Sequence, residues 1–504
     1  MSPVSTLAEV TSLSRRRFGR APNAHLVGAH GSGMKALAEL LSDAGWTLTG
    51  SDLQPAPNRP QKNDGRLRRV HQGHAAANVS AAIDVLIFSP AIGETNPERE
   101  AARQRGIAEL SYVDALSQLM SERTGIAIAG THGKTTTTAM VATILRESGQ
   151  NPSALIGGEV IQYERSGWAG SGDLLVVEAC EYRRHFLSLS PRIAAILNIE
   201  PDHFDCFATI KESREAFEKF VHRVHPDGLL LLRSDVAETL RDRLPARPEI
   251  VTYSTSDSAD WSIRNLDMRQ GKSHFEVRHN GKYFCDVVLS VPGRHNVENA
   301  LAAIALTHAV GTDAAAIASA LSLFRGVRRR LEFIAERGGV TLIDDYAHHP
   351  TAIRATLAAV RQTFPDRRVV AVFQPHQVSR TEALLDDFAT SFQDADQVVL
   401  VPVFAARESQ ADAAACLEKL GQAMRATGQT VRLLESLDHV MATLQDSTSP
   451  GDICLTLGAG DIDRIPHEFA RHVSCHFTGR PAAGPAHMDE SRRTGSIHHS
   501  ATRF

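Results

Sequence analysis

Gly130-Thr131-His132-Gly133-Lys134-Thr135-Thr136 combines residue types that can hold a polyphosphate. It follows an apolar run, Gly125 to Ala129, and precedes a helical pattern that starts at Thr137. In such a strand–loop–helix unit, backbone N–H groups and the helix N-terminus face the anion. The lysine ammonium reaches the β and γ phosphates, and the following hydroxyl can hold Mg²⁺. The common phosphate-loop pattern has four residues between its glycines, whereas this loop has two, with Ile128 where the longer pattern has Gly. The competing reading is a Thr-rich helix cap with one exposed lysine. Further on, Glu178, Asp202 and His203 follow continuous apolar runs and could serve Mg²⁺ between a phosphate and an acceptor. Asp202 and Asp205 could instead cap a helix starting near Phe204. Two more polar segments, Asp344 to Pro350 and Gln374 to Thr381, also end apolar runs. Arg380 at a helix start opposes the helix dipole, so it should meet an anion, a bound carboxylate or a surface acid.

These residues need strands to carry them. Asp173–Glu178 and Arg192–Asn198 read as parallel strands buried on both faces, and ligands sit beyond the carboxyl ends of such strands. Asn23–Ala29, a glycine loop, a helix bearing Met34, Leu37, Leu40 and Leu41, and a strand Trp46–Thr49 form a β–loop–α–β unit. Its glycines, Gly28, Gly31 and Gly33, depart from the nicotinamide fingerprint, although Ser51-Asp52 lies at the usual distance for a ribose contact. The phosphates of another nucleotide suit the same turn. After Arg328, strands and helices alternate, including a helix expected at Thr381–Phe392. The expected organisation is α/β throughout. A leader (1–22) precedes a Rossmann-like domain (23–122), a central phosphate-loop domain with a mostly parallel sheet (123–328) and a second Rossmann-like domain (329–474); a disordered tail (475–504) with His498-His499 follows.

The 504 residues carry a formal net charge of −4, which gives no general attraction to nucleic acid or acidic membranes. Six cysteines without CxxC spacing read as reduced thiols, neither a disulfide frame nor a zinc site. No apolar run reaches the length of a membrane span, and Arg15–Arg17 is followed by no signal-like core. A cytoplasmic enzyme with small-molecule partners is expected.

From about His25 to Ile465 the chain resembles the Mur ligase family. The resemblance rests on His25-Leu26-Val27-Gly28 with Gly31-Ser32-Gly33-Met34, the loop at 130–135, Glu178-Ala179 with Glu181, and Asn198-Ile199-Glu200 with Asp202-His203. It continues through Pro292 to Asn296, Asp344-Asp345-Tyr346, His348-His349-Pro350, Phe373 to His376 with Ser379-Arg380-Thr381, and Leu457 to Ile462. The resemblance implies an ATP-dependent ligase that phosphorylates the lactyl carboxylate of UDP-N-acetylmuramate and lets L-alanine attack the acyl phosphate. It implies that Lys134 neutralises the transferring phosphates and that Thr135, Glu178 and His203 serve Mg²⁺. Gly130 to Thr136, Asn296 and Asp345 would bind ATP. Gly28, Gly31, Ser32, Gly33, Ser51 and Asp52 would bind the sugar nucleotide, and His348, His376 and Arg380 the amino acid. Domain closure, with hinges near 123 and 328, would precede chemistry. Three departures stand out: His30 for a usual Gly, Cys180 for a usual Asp, and Gln377-Val378 for a usual Arg-Tyr. Competing readings are a ligase that recycles a murein tripeptide, a non-catalytic nucleotide-binding regulator, and a nicotinamide oxidoreductase. The short connection between Glu181 and Asn198 disfavours the first, the joint presence of Lys134, Glu178, His203 and Arg380 the second, and the phosphate loop the third.

Overall fold

The computed structural model describes residues 7, 20–54, 67–256, 258–406, 408–409 and 412–472. Most of the expected leader, all of the tail from 475, Cys475 and the His498-His499 pair lie outside the described residues.

Short apolar runs form three sheets. The first contains β1 (Asn23–Val27), β2 (Thr47–Asp52), β3 (Leu67–Gln72), β4 (Val85–Phe88) and β5 (Ala108–Ser111). All are parallel, in the order β3-β2-β1-β4-β5. The helix Ser32–Asp43 follows β1 and buries Met34, Leu37, Leu40 and Leu41, as its periodicity requires.

The second sheet runs from β6 to β15. Its parallel centre holds β6 (Thr124–Ala129), β7 (Ser153–Val160), β9 (Leu174–Glu178), β10 (Ile193–Ile196), β11 (Leu229–Arg233) and β12 (Glu249–Tyr253). On one edge β8 (Arg165–Trp168) is antiparallel to β7; on the other, β13 (Trp261–Arg269), β14 (Lys272–His279) and β15 (Lys282–Leu289) form an antiparallel meander. The third sheet contains β16 (Glu332–Arg337), β17 (Val340–Asp345), β18 (Val369–Phe373), β19 (Gln397–Leu400), β20 (Val431–Leu433) and β21 (Ile453–Leu457). Only β16 is antiparallel there.

Register decides which loops meet. Ile196 pairs with Ala129, and Ile128 with Glu178, so β6, β9 and β10 end level with one another. In the third sheet Asp345 and Phe373 both pair with Leu457, so three polar loops again leave one edge together.

Several expectations need correction. The strand expected at Trp46–Thr49 continues to Asp52, so Gly50-Ser51-Asp52 belongs to β2 and does not end it. There a Cβ on Gly50 would lie 2.9 Å from the Leu26 carbonyl, which is why a strand can carry Gly at that point. The helix expected at Thr381–Phe392 is two short helices, Val378–Ala383 and Leu385–Ala389. No helix starts near Phe204. The next one is Ile210–Val221, capped by the Thr209 hydroxyl accepting from Glu212 N–H.

The first two sheets are docked tightly. Helix Ser32–Asp43 lies across β7 and β8, and the buried Glu39 carboxylate accepts the N–H groups of Ser166 and Gly167, each at 2.8 Å. A Cβ on Gly167 would come within 2.2 Å of the Ala36 carbonyl, so this strand can approach the helix only with glycine.

Candidate active site

The loop 130–133 is tight because both its glycines are left-handed, Gly130 at φ +137° and Gly133 at φ +82°. A Cβ on Gly133 would sit 2.5 Å from Asn299 Oδ1. Asn198, at the end of the β10 segment, clamps the intervening residue: its Oδ1 accepts from His132 N–H at 2.7 Å, and its Nδ2 donates to His132 O at 3.1 Å. Gly133 then caps helix Lys134–Glu147 without a side-chain partner, so the N-terminus is open to an anion.

Lys134 folds back over this loop. Its Nζ donates to Gly130 O, to Thr131 O at 3.2 Å, and to both oxygens of Glu181 at 3.1 and 2.8 Å. Burial opposes the charge on Glu181, but Lys134 and His203 outweigh it and hold its carboxyl below the ordinary range. His203 Nε2 stands 3.4 Å from Glu181 Oε1, on a backbone with φ +54°. Glu178 is different. Burial raises its pKa, against the Gly157 N–H that donates to it and the nearby charges of Lys134 and Arg330. Thr135 Oγ1 accepts from Arg330 Nη2 at 3.3 Å.

The third sheet supplies the opposite wall. Arg380 is buried, and its Nε and Nη2 both donate to Asp202 Oδ1 at 2.7 Å. This replaces both the helix-cap reading of Asp202 and the surface-pair reading of Arg380: they are each other's partners. Arg380 Nη1 donates to His376 Nδ1 at 3.0 Å. Burial and the Arg380 charge lower the pKa of His376 to about 4 and hold His348 well below its usual range, so both imidazoles are neutral. Asp345 uses both oxygens locally, accepting from Leu331 N–H at 2.6 Å and Ala347 N–H at 2.7 Å.

One cavity of about 2240 Å³ joins these walls. Thr131 to Thr136, Glu178, His203, Asn296, Asp345, His348, His376 and Arg380 all line it, whereas Gly130 does not. Asn296 faces it with its amide committed to Pro292 O at 2.7 Å and to Asn299. Of the first-domain residues expected at a sugar nucleotide, Ser32 lines the cavity and the others do not. Ser51 turns inward, its hydroxyl donating to the buried Glu98 at 2.5 Å. Asp52 accepts from His30 N–H at 2.9 Å. Gly28 and Gly33 answer packing needs, since a Cβ on either would come within 2.9 Å of Ser89 or Tyr112 respectively. Gly31 caps helix Ser32–Asp43 with no side-chain partner.

Sequence reasoning gave no individual role to Glu181, Asn198 or Arg330. Glu181 stands three residues beyond a strand end, in the same run as Glu178, and that position is the signal the sequence offers. Arg330 was hidden in a segment that looked like a linker.

Comparison with known proteins bears on all three sheets. Residues 23–124 match the model of the Mur ligase family catalytic domain, 128–307 that of the Mur ligase middle domain, and 329–460 that of the Mur ligase glutamate ligase domain. The UDP-N-acetylmuramate–L-alanine ligase of Desulfitobacterium hafniense is 40% identical over 448 residues, 88% of this chain and 98% of that protein. That of Acidithiobacillus ferrooxidans is 41% identical over 450 residues, 88% of this chain and 96% of that protein. Among solved structures, the UDP-N-acetylmuramate-alanine ligase of Thermotoga maritima superposes with a TM-score of 0.75 at 28% identity, covering 89% of this chain and 98% of that one. A murein peptide ligase of Psychrobacter arcticus gives 0.68 at 26% identity with the same coverage. Matched domain by domain and in the same order, the chain belongs to the Mur ligase family.

Proposed function

We propose that this protein joins L-alanine to the lactyl carboxylate of UDP-N-acetylmuramate, with ATP converted to ADP and phosphate, in cytoplasmic synthesis of peptidoglycan precursors. The observation that carries the reading is the meeting of Lys134 and Arg380 on one cavity, linked through the adjacent residues Asp202 and His203. The names of relatives at about 40% identity point the same way.

A carboxylate is a poor acyl donor. Transfer of the γ-phosphoryl group to a lactyl oxygen gives an acyl phosphate and ADP; attack by the alanine amine then forms the amide and releases phosphate. Phosphoryl transfer asks the protein for charge neutralisation and in-line positioning. Lys134 supplies the first. In this structure its ammonium rests on two loop carbonyls and Glu181, partners that hold it at the phosphate loop. The N-terminus of helix Lys134–Glu147, which no side chain caps, would offer its backbone N–H groups to the same anion.

The donor set fits Mg²⁺. Glu178 is a half-buried carboxylate on the cavity wall with too little positive charge nearby to offset its desolvation, and the Thr135 hydroxyl adds a hard oxygen. Thr135 and Glu178 would hold the ion, which would neutralise phosphate oxygens when bound, while His203 stands against Glu181 on the same cavity. Arg380 is the contact we assign to the alanine carboxylate, with Nη1 exchanging its bonds to His376 Nδ1 and O for the substrate. His348 and His376, being neutral, do not repel the alanine ammonium.

The test is phosphate release by the purified protein with ATP, Mg²⁺ and UDP-N-acetylmuramate, comparing L-alanine, glycine, L-serine and a murein tripeptide. L-alanine should give the highest kcat/KM. Absence of any amino-acid-stimulated release would overturn the reading, and a preference for tripeptide would convert it to peptide recycling.

A further inference from the structure

His132, Glu200 and His349 come from three separate segments: the phosphate loop, the stretch after β10, and the N-terminus of helix Pro350–Thr363. One donor atom from each lies within 4.8 Å of the other two. His132 Nε2 is 3.5 Å from Glu200 Oε2, and His349 Nδ1 is 3.9 Å from the same oxygen. The two imidazole centroids are 4.6 Å apart.

The cluster is built and not a chance meeting of mobile side chains. Asn198 grips the backbone of His132 from both sides. The Thr351 hydroxyl donates to Glu200 Oε2 at 2.6 Å, and Thr131 Oγ1 accepts from Glu200 N–H at 2.9 Å. His349 Nε2 lies 3.1 Å from Pro201 O, a carbonyl that can only accept, so the proton is on Nε2 and the Nδ1 lone pair faces inward. That lone pair accepts the Thr351 N–H at 3.3 Å as the helix cap, a weak contact that a bound cation would displace. A second and independent observation is that His132 Nε2 is buried and makes no hydrogen bond. Two imidazole nitrogens and one carboxylate oxygen thus converge on the wall of the cavity through which an ion can enter.

Two imidazoles and a carboxylate are the donors of a zinc site that keeps one position open. Donor atoms 2.0–2.1 Å from such an ion stand about 3.3 Å apart, within a small side-chain adjustment of the spacing seen here. Mg²⁺ prefers all-oxygen surroundings, so the site selects a different cation from the Glu178–Thr135 pair.

We propose that His132, Glu200 and His349 bind a divalent cation of the zinc class, which fastens the third domain to the phosphate loop and slows turnover. The site does not depend on the ligase reading, because binding needs no substrate.

The test uses the full-length protein without nucleotide, titrated with Co²⁺ and with chelator-buffered Zn²⁺. Wild type should bind one more equivalent than His349→Asn, with the intense visible absorption of four-coordinate cobalt. Asn at 349 keeps the helix cap by accepting from Thr351 N–H, so the variant should fold. Glu200→Gln, which also keeps the Thr351 contact, should weaken binding more than ~10-fold, since even outer-shell changes cost that much. X-ray absorption of the wild-type zinc form should count two imidazoles. Equal binding by wild type and both variants, or fewer than two imidazoles, would overturn the proposal. Buffered Zn²⁺ should slow wild-type turnover and spare His349→Asn; equal inhibition of both would remove the latch.

Discussion

Arg380 and Asp202 meet across the junction of the second and third sheets, with Nε and Nη2 both 2.7 Å from one carboxylate oxygen. Both side chains are almost fully buried, so neither charge can fall back on water. Removing one partner should cost far more than removing both, because a lone buried charge keeps its desolvation penalty. Arg380→Met is expected to destabilise by about 3–5 kcal/mol, and the double variant Arg380→Met/Asp202→Leu by much less. Thermal melting of the four proteins in the cycle checks this. Additive losses would mean that the pair is already solvated.

Lys134→Ala should abolish turnover, by more than ~10³-fold, while the fold and sugar-nucleotide binding persist. The lysine is one of two basic partners of Glu181, and His203 remains after its removal. Far-UV circular dichroism and UDP-N-acetylmuramate binding, measured beside phosphate release, separate loss of chemistry from loss of structure. Substantial residual turnover would take this loop out of the mechanism.

Two buried acids should shape the pH profile of stability in opposite ways. Burial raises the pKa of Glu98, but His25, with Nε2 3.7 Å away, and hydrogen bonds from Ser51 and Asn78 outweigh it and bring it to about 2. Its folded pKa lies below the unfolded value, so its contribution is present above pH ~4.5 and is lost as pH falls toward ~2. Burial raises Asp344 to about 7 despite Arg329 and Thr456, so its ionisation opposes folding increasingly from pH ~4 to ~7. Asp344→Asn keeps an acceptor for the Thr456 hydroxyl, which lies 2.6 Å away. It should raise Tm at pH 8 by about 2–4 °C for each kcal/mol relieved, and do little at pH 4. Glu98→Gln should flatten the acid side instead. Equal shifts at both pH values would refute the assignment.

Much of this architecture could be read from continuous apolar runs ending in polar clusters, because strands buried on both faces leave that mark. Asp173–Glu178 and Arg192–Asn198 correspond to β9 and β10 for this reason. Edge strands were harder. β8 is only Arg165–Trp168, and β3 is largely exposed, so neither has a periodic signature. The side-chain partnerships were out of reach for another reason. Glu39 with β8 spans 127 residues and Arg380 with Asp202 spans 178, and no spacing along a chain encodes such meetings. Ser51 and Glu98, 47 residues apart, meet in a way the local sequence equally does not encode.

The last prediction concerns amino-acid selectivity. Gln377 lies between His376 and the short helix that carries Arg380, lines the cavity, and holds φ +70° with its N–H donating to Phe404 O at 2.9 Å. A side chain at this point is therefore aimed by the backbone and not by its own flexibility. The family resemblance implies Arg here, so on the proposed function this chain would meet the amino acid with one fewer guanidinium. Gln377→Arg should add a charge-assisted hydrogen bond to the alanine carboxylate, worth about 1.5–3 kcal/mol and so roughly a 10- to 100-fold lower KM for L-alanine. The buried Arg380 and neutral His376 beside it limit the gain, because a second guanidinium near the first is repelled until the carboxylate arrives. The drop in KM should thus be accompanied by a small loss of stability in the absence of substrate. Steady-state KM values for L-alanine, glycine and L-serine, with a melting curve for the free protein, decide it. An unchanged KM for all three would mean that Arg380 alone holds the carboxylate and that position 377 does not reach it.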